Sequence, residues 1–248
     1  MFLEQAIVVP DRLLLIAKTI GEFMNFLEQK QAICDIGHKL WQLNFVAAND
    51  GNISLKVSDN VLLATPTGIS KSELVPEMIL ETDMQGNVIT PSKYSPSSEL
   101  KMHLRCYQAR EDVVSVVHAH PPIATGFAIA NIPLDFYTMP EAILALGNVP
   151  IAPYGTPSTC EVPDSLMEFL PEHDVILLQN HGAISLGSSL KNAYYKMETL
   201  EHYAKTTFIA LKLGGVKELN QKQIKDCLAL REKYNMTGKH PGYKKFEK

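Results

Sequence analysis

Apolar residues change their spacing several times along this chain, and each change marks an element. Between about 12 and 43 they recur every three or four positions (Leu13, Ile16, Ile20, Phe23 and Met24, then Ile33, Ile36 and Leu40), the period of one or two amphipathic helices packed on a sheet. From Val46 the runs shorten. Gly51-Asn-Ile-Ser-Leu-Lys-Val57 and Val61-Leu-Leu-Ala-Thr65 predict paired strands joined by a hairpin turn at Asp59-Asn60. A turn at Thr65-Pro-Thr-Gly68, a short helix over 73–78 and strand-like pieces at 79–82 and 88–90 follow. Ser97-Ser98-Glu99 predicts the start of a helix reaching about Ala109, with serine as cap and the glutamate in the first turn, where the helix dipole favours negative charge. A strand over 113–120, a helix over 123–130, an extended edge segment over 149–154 and a helix over 164–170 come next. Two apolar runs then flank an Asn-His-Gly turn at 180–182. Helices over 188–213 and 221–234 and a basic tail close the chain. Helices before, between and after a strand-rich middle predict an α/β architecture in which helices cover a mixed sheet.

The strand Val113-Val-Ser-Val-Val-His-Ala-His120 carries the most chemistry. Side chains alternate across a strand, so His118 and His120 point to one side while Ala119 points back, and Pro121-Pro122 ends the ladder just beyond them. His181, in the turn between the two later apolar runs, is a third imidazole in a comparable place. A single histidine at a strand end is ordinarily a solvated or hydrogen-bonded side chain. A pair at i, i+2 with a third at another strand end instead suits a catalytic zinc, which three imidazoles hold while leaving a position open. His38, His103, His173, His202 and His240 lack such partners and read as surface or core-edge residues.

Three short polar segments have the make-up of an anion cradle: Asp50-Gly51-Asn52-Ile-Ser54, Thr65-Pro-Thr67-Gly68, and Ser97-Ser98 at a helix start. Glycine lets the backbone approach an anion closely, and hydroxyls, amides and free helix N–H groups donate to its oxygens. Each alone is also an ordinary connecting turn, and none matches a Walker loop or a dinucleotide fingerprint. Glu99 follows the serines directly. It is either a helix-dipole carboxylate or, beside a bound phosphate and a metal, a proton-transfer base or metal ligand.

Composition narrows the partners. The chain has 248 residues and no linker-like stretch, which predicts a single domain over 1–248. A net charge of −4 gives no reason to expect a nucleic-acid partner. The four cysteines are scattered without a Cys-x-x-Cys clip, so neither a thiolate zinc site nor a disulfide framework is expected. No apolar run approaches membrane-spanning length and the first residues lack a signal-peptide pattern, so a cytoplasmic protein without a membrane partner is expected.

Taken in order, Gly51-Asn-Ile-Ser, Thr65-Pro-Thr-Gly68, Pro96-Ser-Ser-Glu99, Val117-His-Ala-His120, Ala152-Pro-Tyr154 and Gln179-Asn-His-Gly182 resemble the motifs of the class II aldolase/adducin family, most closely its L-fuculose-1-phosphate aldolases, over about Ile33 to Leu213. The resemblance implies a three-layer α/β/α subunit around a mixed, mainly antiparallel sheet, in a homotetramer with active sites between subunits. It implies one Zn2+ per subunit held by His118, His120, His181 and, at rest, Glu99, which then serves as catalytic acid and base. It also implies that Gly51, Asn52, Thr67, Gly68, Ser97 and Ser98 bind the phosphate of a small sugar-phosphate substrate. The reaction implied is reversible cleavage of a ketose 1-phosphate to dihydroxyacetone phosphate and an aldehyde. The fuculose aldolases place a tyrosine about twenty residues after the His-x-His pair; counting without gaps reaches Met139, with Tyr137 two positions away. Tyr243 is the candidate for their tyrosine near the C-terminus.

Other functions share this frame. Pentulose-phosphate 4-epimerases of the family typically carry aspartate where this chain has Glu99, which favours an aldolase. Methylthioribulose-1-phosphate dehydratases share the three histidines and the glutamate but match less well in the surrounding motifs. An adducin-like interaction module would not need the full set of histidines with Glu99, and all four are present.

Overall fold

The computed structural model describes residues 26–240. The helical pattern expected over 12–25 and the candidate Tyr243 lie outside the described residues. Helix α1 runs from Leu27–Gln42 and turns Ile33, Ile36 and Leu40 inward. Strands β1 (Asn52–Ser58) and β2 (Val61–Ala64) form the expected hairpin, followed by β3 (Leu80–Thr82). Then come α2 (Leu100–Ala109), β4 (Ser115–Ala119), α3 (Pro122–Ile129), α4 (Pro140–Ala145), β5 (Ile151–Ala152) and α5 (Glu161–Ser165). Strands β6 (Val175–Leu178) and β7 (Gly182–Gly187), then helices α6 (Leu190–Lys212) and α7 (Gln221–Lys233), complete the fold.

The strands form one seven-stranded sheet in the order β3-β2-β1-β4-β7-β6-β5. Every pairing is antiparallel except β5 with β6, so the sheet is mixed and mainly antiparallel, with the extended segment around 151 at its edge as expected. Strand alternation divides the core. Ile53, Val117, Ala119 and Ala183 pack in one layer with Ile33 and Leu40 of α1, Ala124 and Phe127 of α3, and Met197 and Leu200 of α6. Val116, Ile176, Ile184 and Leu186 face the other layer with Met102 and Cys106 of α2 and Val162 of α5. These two helical layers around one sheet are the α/β/α architecture. Among the described residues no helix is long and apolar enough to cross a membrane, and the four cysteines are free.

Several boundaries differ from the sequence reading. The helix expected over 73–78 is two 3-10 turns, Lys71–Glu73 and Pro76–Met78, because Pro76 cannot donate into a continuous helix. The strand expected at 88–90 is a single bridge from Val88 to Thr82. The helix expected over 164–170 begins at Glu161 and loses its regular form after Ser165. Helix α4 was not anticipated: Pro140 starts it, but six residues are too few to display a period. His103 and His173 are buried, His103 inside the core, against the expectation of surface or core-edge positions.

Candidate active site

Three strand ends and one helix start converge. His118 is the penultimate residue of β4 and lies opposite Asn52 of β1 and Ile184 of β7. His120 follows the strand, and its N–H donates to the Phe45 carbonyl at 2.7 Å. His181 sits in the turn between β6 and β7, where Asn180 takes a left-handed conformation (φ 57°) and the His181 N–H donates to Leu178 O. Gly182 is required here: a Cβ would lie 2.5 Å from His120 Cδ2 and 2.6 Å from Ala119 O. Gly51 is required twice over, by its φ of +73° and because a Cβ would lie 2.9 Å from the His118 carbonyl.

The three imidazoles form a triangle with ring centroids 4.8 to 5.1 Å apart. Each offers a ligand nitrogen, and these atoms lie within 4.8 Å of one another. The His118 Nδ1–H donates to the Ala183 carbonyl at 2.9 Å, which leaves Nε2 as the lone-pair nitrogen facing the cluster. His120 Nε2 lies 3.1 Å from that atom. Two basic nitrogens brought so close suit a shared cation, and this donor set fits a divalent metal. Burial pushes His118 down to about 3 and His120 down as well, so both are neutral, the form in which an imidazole can bind a metal.

Glu99 stands at the open side of the triangle. Its Oε1 lies 3.2 Å from His181 Nε2 and 3.6 Å from His118 Nε2, and its Oε2 accepts a 2.7 Å hydrogen bond from the Asn52 amide. Burial alone would raise its carboxyl, but His118, His181 and the Asn52 donation outweigh that, and the net shift is downward: Glu99 is a carboxylate. It occupies the cap position of α2, one residue before the regular helix rather than within its first turn, and its N–H donates to Ser97 Oγ.

The structure also brings the three polar segments together. The Ile53 N–H donates to Thr65 Oγ1, and Thr65 N–H to Ile53 O, joining the first segment to the second. A bridge between Pro66 and Pro96 and the bond from Thr67 N–H to Ser95 O join the second to the third. Gly68, at φ +75°, has open space where a side chain would be. Ser98 shares a 2.8 Å hydrogen bond with the hydroxyl of Ser158. Asn52 Oδ1 is buried without a partner.

Sequence reasoning missed the supporting residues. Asp50 Oδ2 lies 3.6 Å from His120 Nδ1, leaving Nε2 of that ring to face the other imidazoles. One helical turn beyond Glu99, His103 Nδ1 meets the Ser54 hydroxyl at 2.7 Å, and Ser54 meets the Tyr107 hydroxyl at 2.8 Å, a buried polar chain beneath the site. The i, i+4 spacing of Glu99, His103 and Tyr107 on one helix face was the available signal. Lys71, 1% exposed, carried no signal, since lysine is normally a surface residue. Tyr137 is 1% exposed and packs with Ile143 and Ile224.

Residues 31–208 match the model of the Class II Aldolase and Adducin N-terminal domain. The chain belongs to this family. It is 39% identical over 179 residues to the L-fuculose phosphate aldolase of Methanococcus vannielii, covering 71% of this chain and 93% of that one. It is also 32% identical over 186 residues to the 3-oxo-tetronate 4-phosphate decarboxylase of Escherichia coli, covering 73% and 86%. A solved L-fuculose 1-phosphate aldolase superposes with a TM-score of 0.74 at 30% identity, over 84% of this chain and 96% of that one. The class II aldolases are generally metal-dependent and act on sugar phosphates; this chain is an enzyme of their family, with lyase activity.

Proposed function

We propose that this enzyme is a zinc-dependent aldolase that reversibly cleaves a ketose 1-phosphate, L-fuculose 1-phosphate or a close analogue, to dihydroxyacetone phosphate and an aldehyde. The observation that carries the reading is Glu99: a carboxylate set against the imidazoles of His118 and His181 whose own N–H donates to Ser97, which supports a role for it between a metal and a phosphate. His118, His120, His181 and Glu99 would hold the metal, which when bound supplies Lewis-acid polarisation of the ketose oxygens. Gly51, Asn52, Thr67, Gly68, Ser97 and Ser98 bind the phosphate and so fix the first carbon. In the cleavage direction the bond between the third and fourth carbons breaks, and its electron pair stays on the third. The Glu99 carboxylate takes up, through solvent, the proton that the fourth-carbon hydroxyl loses as it becomes the aldehyde, and then delivers a proton to the third carbon. In the reverse direction Glu99 removes that proton. The Asn52 amide holds the carboxylate in place.

A second reading is favoured by the similarity to the decarboxylase. A 3-oxo acid 4-phosphate that loses carbon dioxide leaves its electron pair on the same carbon relative to carbonyl and phosphate, and protonation there gives the same dihydroxyacetone phosphate. One experiment separates the two: supply the purified, zinc-loaded enzyme with L-fuculose 1-phosphate, other ketose 1-phosphates and a 3-oxo-tetronate 4-phosphate, then assay dihydroxyacetone phosphate, aldehyde and carbon dioxide. Aldehyde release supports the aldolase; carbon dioxide alone replaces it with the decarboxylase.

A cytoplasmic homotetramer with active sites between subunits completes the proposal. The support for association between subunits is an apolar groove of about 420 Å3 that starts at Pro122, two residues beyond His120, and is lined by Ile123 and Phe127 of α3 and Phe208 and Leu211 of α6. A monomeric mass in solution would remove this part of the reading.

A further inference from the structure

Lys71 is charged, almost wholly buried, and outside every role assigned above. Its ammonium donates to two backbone carbonyls, Asn49 O at 3.1 Å and Ile69 O at 3.0 Å. These carbonyls belong to two different loops. The first leads into Gly51 and Asn52; the second leaves Thr67 and Gly68. The ammonium therefore ties together, from beneath, two of the three segments of the phosphate cradle. Asp50 and Glu99 are the charges that support it; burial opposes them and prevails, pushing the lysine down to about 8. At neutral pH it still carries its proton.

We infer that Lys71 is a positioning residue for phosphate recognition: it sets the spacing of the Asn49–Asn52 and Thr67–Ile69 loops and places a fixed positive charge behind the cradle. The inference rests on the cradle proposed above. A buried charge is screened far less than a surface one, so its field reaches an anion held by these two loops. Neither a neutral side chain nor a surface lysine reproduces both effects.

Inorganic phosphate is the probe, measured as a competitive inhibitor and, independently of turnover, as the phosphate-dependent rise in melting temperature. In the wild-type enzyme phosphate should compete; if it does not, the cradle itself is wrong and the failure is not that of Lys71. In Lys71→Met, phosphate affinity should fall about tenfold and KM for the phosphorylated substrate should rise by a similar factor, with kcat within about twofold. A lower melting temperature with unchanged phosphate affinity and unchanged KM would make Lys71 a packing residue and overturn the inference. Should Lys71→Met fail to fold, Lys71→Gln keeps a donor but not the charge, and wild-type phosphate affinity in that variant would overturn it equally.

Discussion

The β6–β7 hairpin carries a buried polar cluster at each end, and the two are opposites. At its open end Asp174 pairs with Arg110 at 2.7 Å and with Lys196 at 2.6 Å, while Lys196 also donates to Leu186 O and Arg110 to His173 O. At its turn His181 joins His118, His120 and Glu99, where two ring nitrogens face each other at 3.1 Å and His181 Nδ1, Asn52 Oδ1 and His103 Nε2 are buried without partners. A buried polar group without a partner costs stability, so natural folds rarely keep several in one place. The first end, where every charge faces an opposite one, is a brace for the sheet. The unsaturated end is arranged for something not supplied by the chain, and the comparison separates structural from functional polarity without reference to any relative.

The largest effect that should separate the two ends is catalytic. Glu99→Gln should lower exchange of the hydroxymethyl proton of dihydroxyacetone phosphate with solvent deuterium by about two to four orders of magnitude, with metal still bound. Exchange at the wild-type rate in the metal-loaded variant would remove Glu99 as the base. At the other end Asp174→Asn should cost about 3 to 5 kcal/mol of stability in urea unfolding, because Lys196 and Arg110 are left buried with too little countercharge. The folded fraction should turn over normally. A large loss of turnover per folded molecule would show that the brace reaches the chemistry.

Acid should discriminate next. His103, pushed down to about 4 by burial, is neutral in the fold, whereas unfolded it titrates near 6.5. Below that value the unfolded chain takes up a proton that the folded one excludes. Its contribution is therefore complete above about pH 6.5 and is lost as the pH falls toward 4, by about 3 kcal/mol. Urea unfolding of metal-free protein across this window should show the decline, and His103→Gln should flatten it; an equal slope in that variant would remove His103 from the account. The smallest expected effect is Asn52→Ala, which should weaken binding of phosphorylated substrate by about 1.5 to 3 kcal/mol, seen in KM. Equal weakening for the unphosphorylated sugar would place Asn52 with the metal site alone.

The same contrast explains what the sequence could disclose. His118 and His120 were legible because strand alternation alone puts them on one side, and Gly51, Gly68 and the paired serines because turns restrict residue choice. The β1–β2 hairpin was legible from short runs around a tight turn, whereas the sheet order was not, since β1, β4 and β7 meet across long stretches of chain. Lys71 and His103 were not legible as site residues, and Asp50 only as part of a polar turn, because their places depend on how distant segments meet: Lys71 reaches back to Asn49, His103 across to Ser54 and Asp50 to His120. The brace of Arg110, Asp174 and Lys196 was invisible for the same reason, since a charged residue shows its burial only when its counterions are known to be near.

The register of β4 has a further consequence, for assembly of the protein during synthesis. Its neighbours come from opposite sides of it in the sequence, β1 well before and β7 well after. A growing chain can close the β1–β2 hairpin early and add β4 when it emerges, which brings His118 and His120 beside Asn52. The third imidazole arrives only when the β6–β7 hairpin has been made and has docked, a non-local and therefore slow step. Until then the nascent chain holds only two of the three clustered imidazoles, so on the metal role proposed above tight capture waits for the closing of the sheet, when an ion would be committed to a finished pocket rather than to a half-made one.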